Sequence, residues 1–223
     1  MVQLRSLICT LLLGLSVSAS SADAAVILDN SSLGRYNASI GTSLDTLGNL
    51  DPFPCANVAC GDATVSFPTE PNLSAAAGVL GNWLTNPASP GGSWTAAQAI
   101  PSTWAVNTET AIIYEIGAGE GLTNLSLSLG VDNGIFVWLD GDYVFGARRA
   151  GGASLGEYVR NLSDLTAGTH YLQILREDHG AATGYAIELT GDAIQVPEPG
   201  TLALLGFTLV GLAAARRRKT AKQ

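Results

Sequence analysis

Asn124-Leu125-Ser126-Leu127-Ser128-Leu129 decides the fold class of this chain. Leucine and small polar residues alternate with a period of two. A strand here turns Leu125, Leu127 and Leu129 to one apolar face and Asn124, Ser126 and Ser128 to solvent. Similar short strands lie on either side, at 111–116, 135–139, 170–176 and 184–190, the last with Tyr185, Ile187 and Leu189 on one face. Between 135–139 and 143–145, Asp140-Gly141 forms a hairpin signal, because both residues tolerate positive φ. Short strands separated by turns, with no long helix, predict an all-β domain built as an antiparallel β-sandwich or jelly roll.

Upstream, residues 25–108 read as loop-rich and 109–192 as strand-rich, together one exported domain over 25–192. In the first part only 25–28 and 65–67 look like strands, and 73–84 could form one short helix ahead of Asn86-Pro87. Trp83, Trp94 and Trp104 recur at near-regular spacing, as anchors buried against the sheets or as faces for stacking a sugar ring.

The two ends have a different character. Residues 1–24 read as a secretory signal: Arg5 gives the positive start, 7–17 is an apolar run, and Ala22-Asp23-Ala24 fits a small-x-small cleavage site, with Ser18-Ala19-Ser20 competing. This predicts passage through the Sec machinery and a cut by signal peptidase. The formal net charge of −8 conceals a more acidic domain, since 18 acidic residues face five arginines and no lysine between 25 and 199. Such a surface repels a phosphate backbone, which excludes nucleic acid as a partner. The carboxylates serve solubility, or some of them bind calcium. Cys9 falls in the signal, so Cys55 and Cys60 are left as a pair, and an oxidising compartment predicts a disulfide closing a small loop. Four intervening residues and no neighbouring histidine fit neither a zinc knuckle nor a thioredoxin-type pair.

Residues 193–223 form the other end. Val196-Pro197-Glu198-Pro199-Gly200 is followed by an almost wholly apolar stretch, 201–215, and then by Arg216-Arg217-Arg218-Lys219. The prolines hold Glu198 in an extended segment. Fifteen residues of helix span roughly 22 Å, short for a ~30 Å hydrocarbon core, so a transmembrane helix here relies on snorkelling arginines and local thinning. The basic cluster keeps its own end in the cytoplasm and places the domain outside. In this order the parts resemble the PEP-CTERM sorting signal of Gram-negative bacteria, with Pro197, Glu198 and Pro199 on its motif. The resemblance implies recognition by an exosortase, removal of the helix near the motif, and release or attachment at the cell surface or extracellular matrix.

Within the domain, the densest polar cluster is Asp132-Asn133-Gly134, then an apolar strand, then Asp140-Gly141-Asp142. With Asp164 to Tyr171 and Arg176-Glu177, it resembles the protective-antigen-type carbohydrate-binding sandwich over about 75–192. That resemblance implies a calcium ion held at Asp132 and Asn133, with Asp140 a further candidate ligand. Asn133 stands where the calcium-dependent pattern has a second aspartate, and Asp132-Asn133-Gly134 also reads simply as a turn. Arg176-Glu177-Asp178-His179-Gly180 runs off a strand into a hairpin loop, where neighbouring side chains point apart. His170 reads as a strand residue, and Arg148-Arg149 as a glycine-flanked loop pairing local charge, not a phosphate loop. No serine elbow or free catalytic thiol can be assembled into a triad, so no catalytic residue is assigned.

Three functions follow in order: a non-enzymatic module binding envelope or extracellular polysaccharide; a structural matrix or surface-coat protein; and a polysaccharide hydrolase using two carboxylates.

Overall fold

The structure is a computed structural model and describes residues 24–44, 64–149, 151–178, 180, 182–194 and 206–209. The expected signal (residue 24 apart), the Cys55–Cys60 pair, His179, the Pro197-Glu198-Pro199 motif and the Arg216–Lys219 cluster lie outside these residues. So does most of the expected 201–215 helix, of which 206–209 is helical. Among the described residues no helix is long and apolar enough to cross a membrane.

Among the described residues, twelve strands form two antiparallel sheets. The smaller runs β1 (Ala25–Leu28), β12 (Gly184–Ala193), β6 (Gly121–Asp132) and β10 (Leu165–Thr166), with β9 (Tyr158–Asn161) also paired to β6. The larger runs β3 (Val65–Phe67), β8 (Asp142–Arg148), β7 (Gly134–Leu139), β11 (Thr169–Glu177), β5 (Glu109–Gly117), β2 (Leu33–Gly41) and β4 (Gln98–Ala99). The fold is the expected all-β sandwich.

The alternation that opened the reading sets the interior. Leu125, Leu127, Leu129 and Val131 of β6 are buried, each burial stabilising by about 1.5–3 kcal/mol. They pack with Tyr185, Ile187 and Leu189 of β12 against Ile112, Tyr114, Ile135, Val137, Leu172 and Ile174 of the larger sheet.

The larger sheet is covered on its second face too, which alternation in its strands did not announce. Every residue of β7 is buried, because Ile135, Val137 and Leu139 face the other sheet while Phe136 and Trp138 face a separate cluster. That cluster draws Leu80, Trp83 and Trp94 from the loop-rich part of the chain. Trp83 stacks on Trp94 with ring centroids 5.8 Å apart and meets Trp138 edge-on at 5.2 Å, so these tryptophans are anchors.

Three expectations need correction. The loop-rich part contributes the nine-residue strand β2, paired to β5 with a register shift between Asn37 and Gly41. The helix expected over 73–84 is a 3-10 turn at Ser74–Ala76 leading into one short turn, α1 (Ala77–Leu80). It stops because Gly81 takes φ 59° against the Pro90 carbonyl, which a Cβ would meet at 2.2 Å. Arg148 is no loop residue; it ends β8 opposite Gly134 and is buried.

Candidate functional site

Antiparallel pairing sends the candidate ligands to opposite ends of β7. Asp132 and Asn133 precede it and Asp140 follows it, so the six-residue strand separates them by roughly 20 Å.

At the first end, Asn133 is 4% exposed, and its carbonyl accepts a hydrogen bond from the Tyr158 hydroxyl at 2.7 Å. Burial pushes the Tyr158 phenol well above its ordinary pKa. Asp132 is half-buried beneath the 151–157 loop, with Oδ1 1.8 Å from where a Cβ on Gly151 would sit. Glu157 ties that loop down, accepting from Val131 N and Ser154 N, both at 3.0 Å. Calcium takes six to eight oxygens. Of the two expected ligands, Asp132 keeps part of its surface and Asn133 is buried. Among the described residues no three His, Cys, Asp or Glu side chains group as a metal site.

At the other end, the β7–β8 turn places Asp140 and Gly141 at φ 53° and 84°, as a two-residue hairpin with right-handed twist requires. Asp140 Oδ1 accepts the Tyr171 amide at 2.8 Å, and Oδ2 lies 2.6 Å from His170 Nδ1. The second imidazole nitrogen lies 3.0 Å from the Thr166 carbonyl. Both partners are acceptors, so the doubly protonated ring satisfies both. The Asp140 hydrogen bond holds the His170 pKa above 6.5, desolvation pulls against it, and the Thr166 carbonyl adds to it.

This pair forms one wall of a groove of about 320 Å³. Asp142, Tyr143, Asn161, Ser163, Asp164 and Thr166 complete its polar lining, with Leu139, Val144, Leu162 and Leu165 as the apolar part. Asp164 also accepts from Asn124 N at 3.2 Å, which fixes the β9–β10 segment against β6. A second cavity of about 380 Å³ lies beside Trp83, Glu70 and Asn82. Trp83 is 3% exposed and offers no ring face there.

Sequence reasoning placed Asp140 in the turn but gave no sign of its pairing with His170, 30 residues away. Arg176 reads as the end of a strand, with no sign of its burial. It is fully buried in the sandwich, with Nε on Thr110 Oγ1 and Nη1 on the Pro101 carbonyl, both at 2.9 Å. Trp104, Tyr185 and Tyr36 enclose its guanidinium at 4.1, 4.6 and 5.5 Å. Desolvation lowers its pKa from the ordinary arginine value.

Beyond these sites, the last described residues of the sandwich lead into the tail, and the tail carries the match to a known motif. Residues 195–219 match the PEP-CTERM protein-sorting motif. The PEP-CTERM match marks an exported, exosortase-processed protein with a sorting signal in the segment that follows the sandwich. No curated protein matches the chain. Among solved structures, the GH31 α-xylosidase Xac1773 from Xanthomonas citri aligns with 43% of this chain and 12% of its own, at 14% identity and a TM-score of 0.24. A likeness at that level bears no argument about fold or activity.

Proposed function

We propose that the exported sandwich is a non-catalytic glycan-binding module, placed at the cell surface or in the extracellular matrix through its sorting signal. The supporting observation is the groove between the β7–β8 turn and the β9–β10 segment. Its volume lies at the low end of the ~300–1,000 Å³ typical of small-molecule sites, and residues with polar side chains make up much of its lining. Carboxylates of Asp140, Asp142 and Asp164 accept hydrogen bonds from sugar hydroxyls, Asn161 both donates and accepts, and the apolar part meets the C–H face of a ring. Calcium enters only as an ion to be tested beside the sugar.

A glycan array probed with the processed protein, with and without calcium, tests the reading. Retention of an uncharged or amino-sugar polymer, lost in Asp142→Ala, is the expected result. If no glycan is retained under either condition, the module reading fails. Concentration-dependent self-association without any sugar effect would instead favour the surface-coat function.

A further inference from the structure

We propose that the end of the sandwich from which Ile194 leads into the sorting motif is a docking surface for the sorting enzyme, and that it fits a basic face on that enzyme. The inference rests on reading residues 195–219 as a sorting signal.

The chain is pinned almost up to the motif. β12 stays paired to β6 as far as Ala193 opposite Leu122, and Ile194 N then donates to the Gly121 carbonyl at 3.0 Å. Three residues later comes Pro197. A fully extended chain advances at most about 3.6 Å per residue, so the motif begins within roughly 11 Å of the folded end. An enzyme that grips Pro197-Glu198-Pro199 must come against that end or unzip the last β12 pairs.

The same end is acidic, and the cation it holds among the described residues, His170, is tied to Asp140. Glu120 lies in the β5–β6 turn, Asp164 against Asn124, Asp192 opposite Thr123, and Asp140 and Asp142 at the β7–β8 turn, which His170 ties to Thr166. Glu115 stands two residues from the end of β5. The arginines are elsewhere. Arg148, Arg149 and Arg176 belong to the opposite end, beside Gly134, Asn133 and Thr110, while Arg35 and Arg160 pair with Ile113 and Leu127 in mid-sheet. Screening in physiological salt acts over about 8 Å. The reach of the tether is hardly longer, so an enzyme holding the motif feels these carboxylates directly, and a basic rim is the surface they attract.

The N-terminal side leaves from the same end, since Ala25 pairs with Gly191. A single face of the sandwich thus receives both segments that flank the domain.

The test follows shortening of the full chain by C-terminal mass spectrometry in cells that carry the enzyme. Glu115→Lys with Glu120→Lys reverses two exposed carboxylates whose side chains enter no hydrogen bond among the described residues. A fall in processing rate of about five-fold or more is expected, as for rim charges that steer association. Ten flexible residues inserted after Ile194 of the double variant add roughly 17 Å of mean separation and should relieve the repulsion, raising the rate part of the way back. Glu188→Lys, in mid-strand, should leave it unchanged. An unchanged rate in the double variant overturns the proposal, as does a slowing that the insertion fails to relieve. If the double variant does not fold, Glu120→Lys alone, in the turn, is read the same way. Glu198→Ala separates the two claims: its normal processing would refute the sorting reading itself, whatever the charge variants do.

Discussion

The guanidinium carbon of Arg176 stands 4.1 Å from the centre of the Trp104 ring, inside the sandwich and fully withdrawn from water. Trp104 is itself fixed, its indole N–H donating to the Thr108 carbonyl at 2.9 Å and its amide to Thr183 Oγ1 at 2.9 Å. The 101–108 segment therefore closes over a charge that three aromatic rings solvate in place of water. A desolvated cation–π contact is worth about 2 kcal/mol. Trp104→Leu should lower stability by about that much or more. In a double-mutant cycle with Arg176→Met, urea unfolding should give a coupling of about 1–2 kcal/mol. Additivity within about 0.3 kcal/mol would reduce the contact to ordinary packing.

His170 makes stability depend on pH. Its folded pKa is raised above 6.5 by the Asp140 hydrogen bond, so the folded state binds the proton more tightly than the unfolded chain does. The contribution is complete below the unfolded value and fades as pH rises through the folded one. The difference in stability between the native chain and His170→Ala should be largest below the ordinary histidine value of about 6.5 and shrink as pH rises above it. A difference that grows with pH would mean that the neutral ring is the stabilising form.

Gly130 lies in β6 where the covering loop presses on the strand. A Cβ there would meet the Ala153 carbonyl carbon and the Ser154 oxygen, each at 2.4 Å, and backbone cannot swing aside as a side-chain tip does. Gly130→Ala should cost about 1–3 kcal/mol and lift the 151–157 loop. Hydrogen exchange at Ser154 N, which donates to Glu157, reads that lifting. Unchanged protection would show that the loop shifts without detaching.

Glu70 accepts a 2.7 Å hydrogen bond from the indole N–H of Trp138, whose ring is fully buried. Glu70→Leu strands that donor, and a buried group left without its partner costs about 1–3 kcal/mol. Glu70→Gln keeps an acceptor oxygen and should recover most of the loss in thermal melts. Equal melting temperatures for the two variants would place a different acceptor at the indole.

Legibility followed the range of the forces involved. Strands with one wet face were readable, because Leu125, Leu127 and Leu129 carry their partition between water and core in a period of two. β2 was not, since Leu33 to Gly41 has no clean alternation: Asn37 is fully buried, and its side-chain amide donates to the Val79 carbonyl at 2.7 Å across 42 residues. The groove was half legible. Asp140 was visible as a turn residue, but its wall needs His170, Asn161 and Asp164, which only the stacking of β9 and β10 against β6 and the β7–β8 turn brings near.

By itself the sequence determined the all-β class, the acidity of the domain and the sorting signal at 195–219, all of which depend on composition or on residues close along the chain. Tertiary structure alone decided the rest. It sent Asp132 and Asp140 to opposite ends of β7, buried Arg176 among aromatic rings, and gathered the carboxylates at the end where the chain meets its motif. Each of these is a relation across strands, set by register and sheet packing, and no local pattern of residues encodes it.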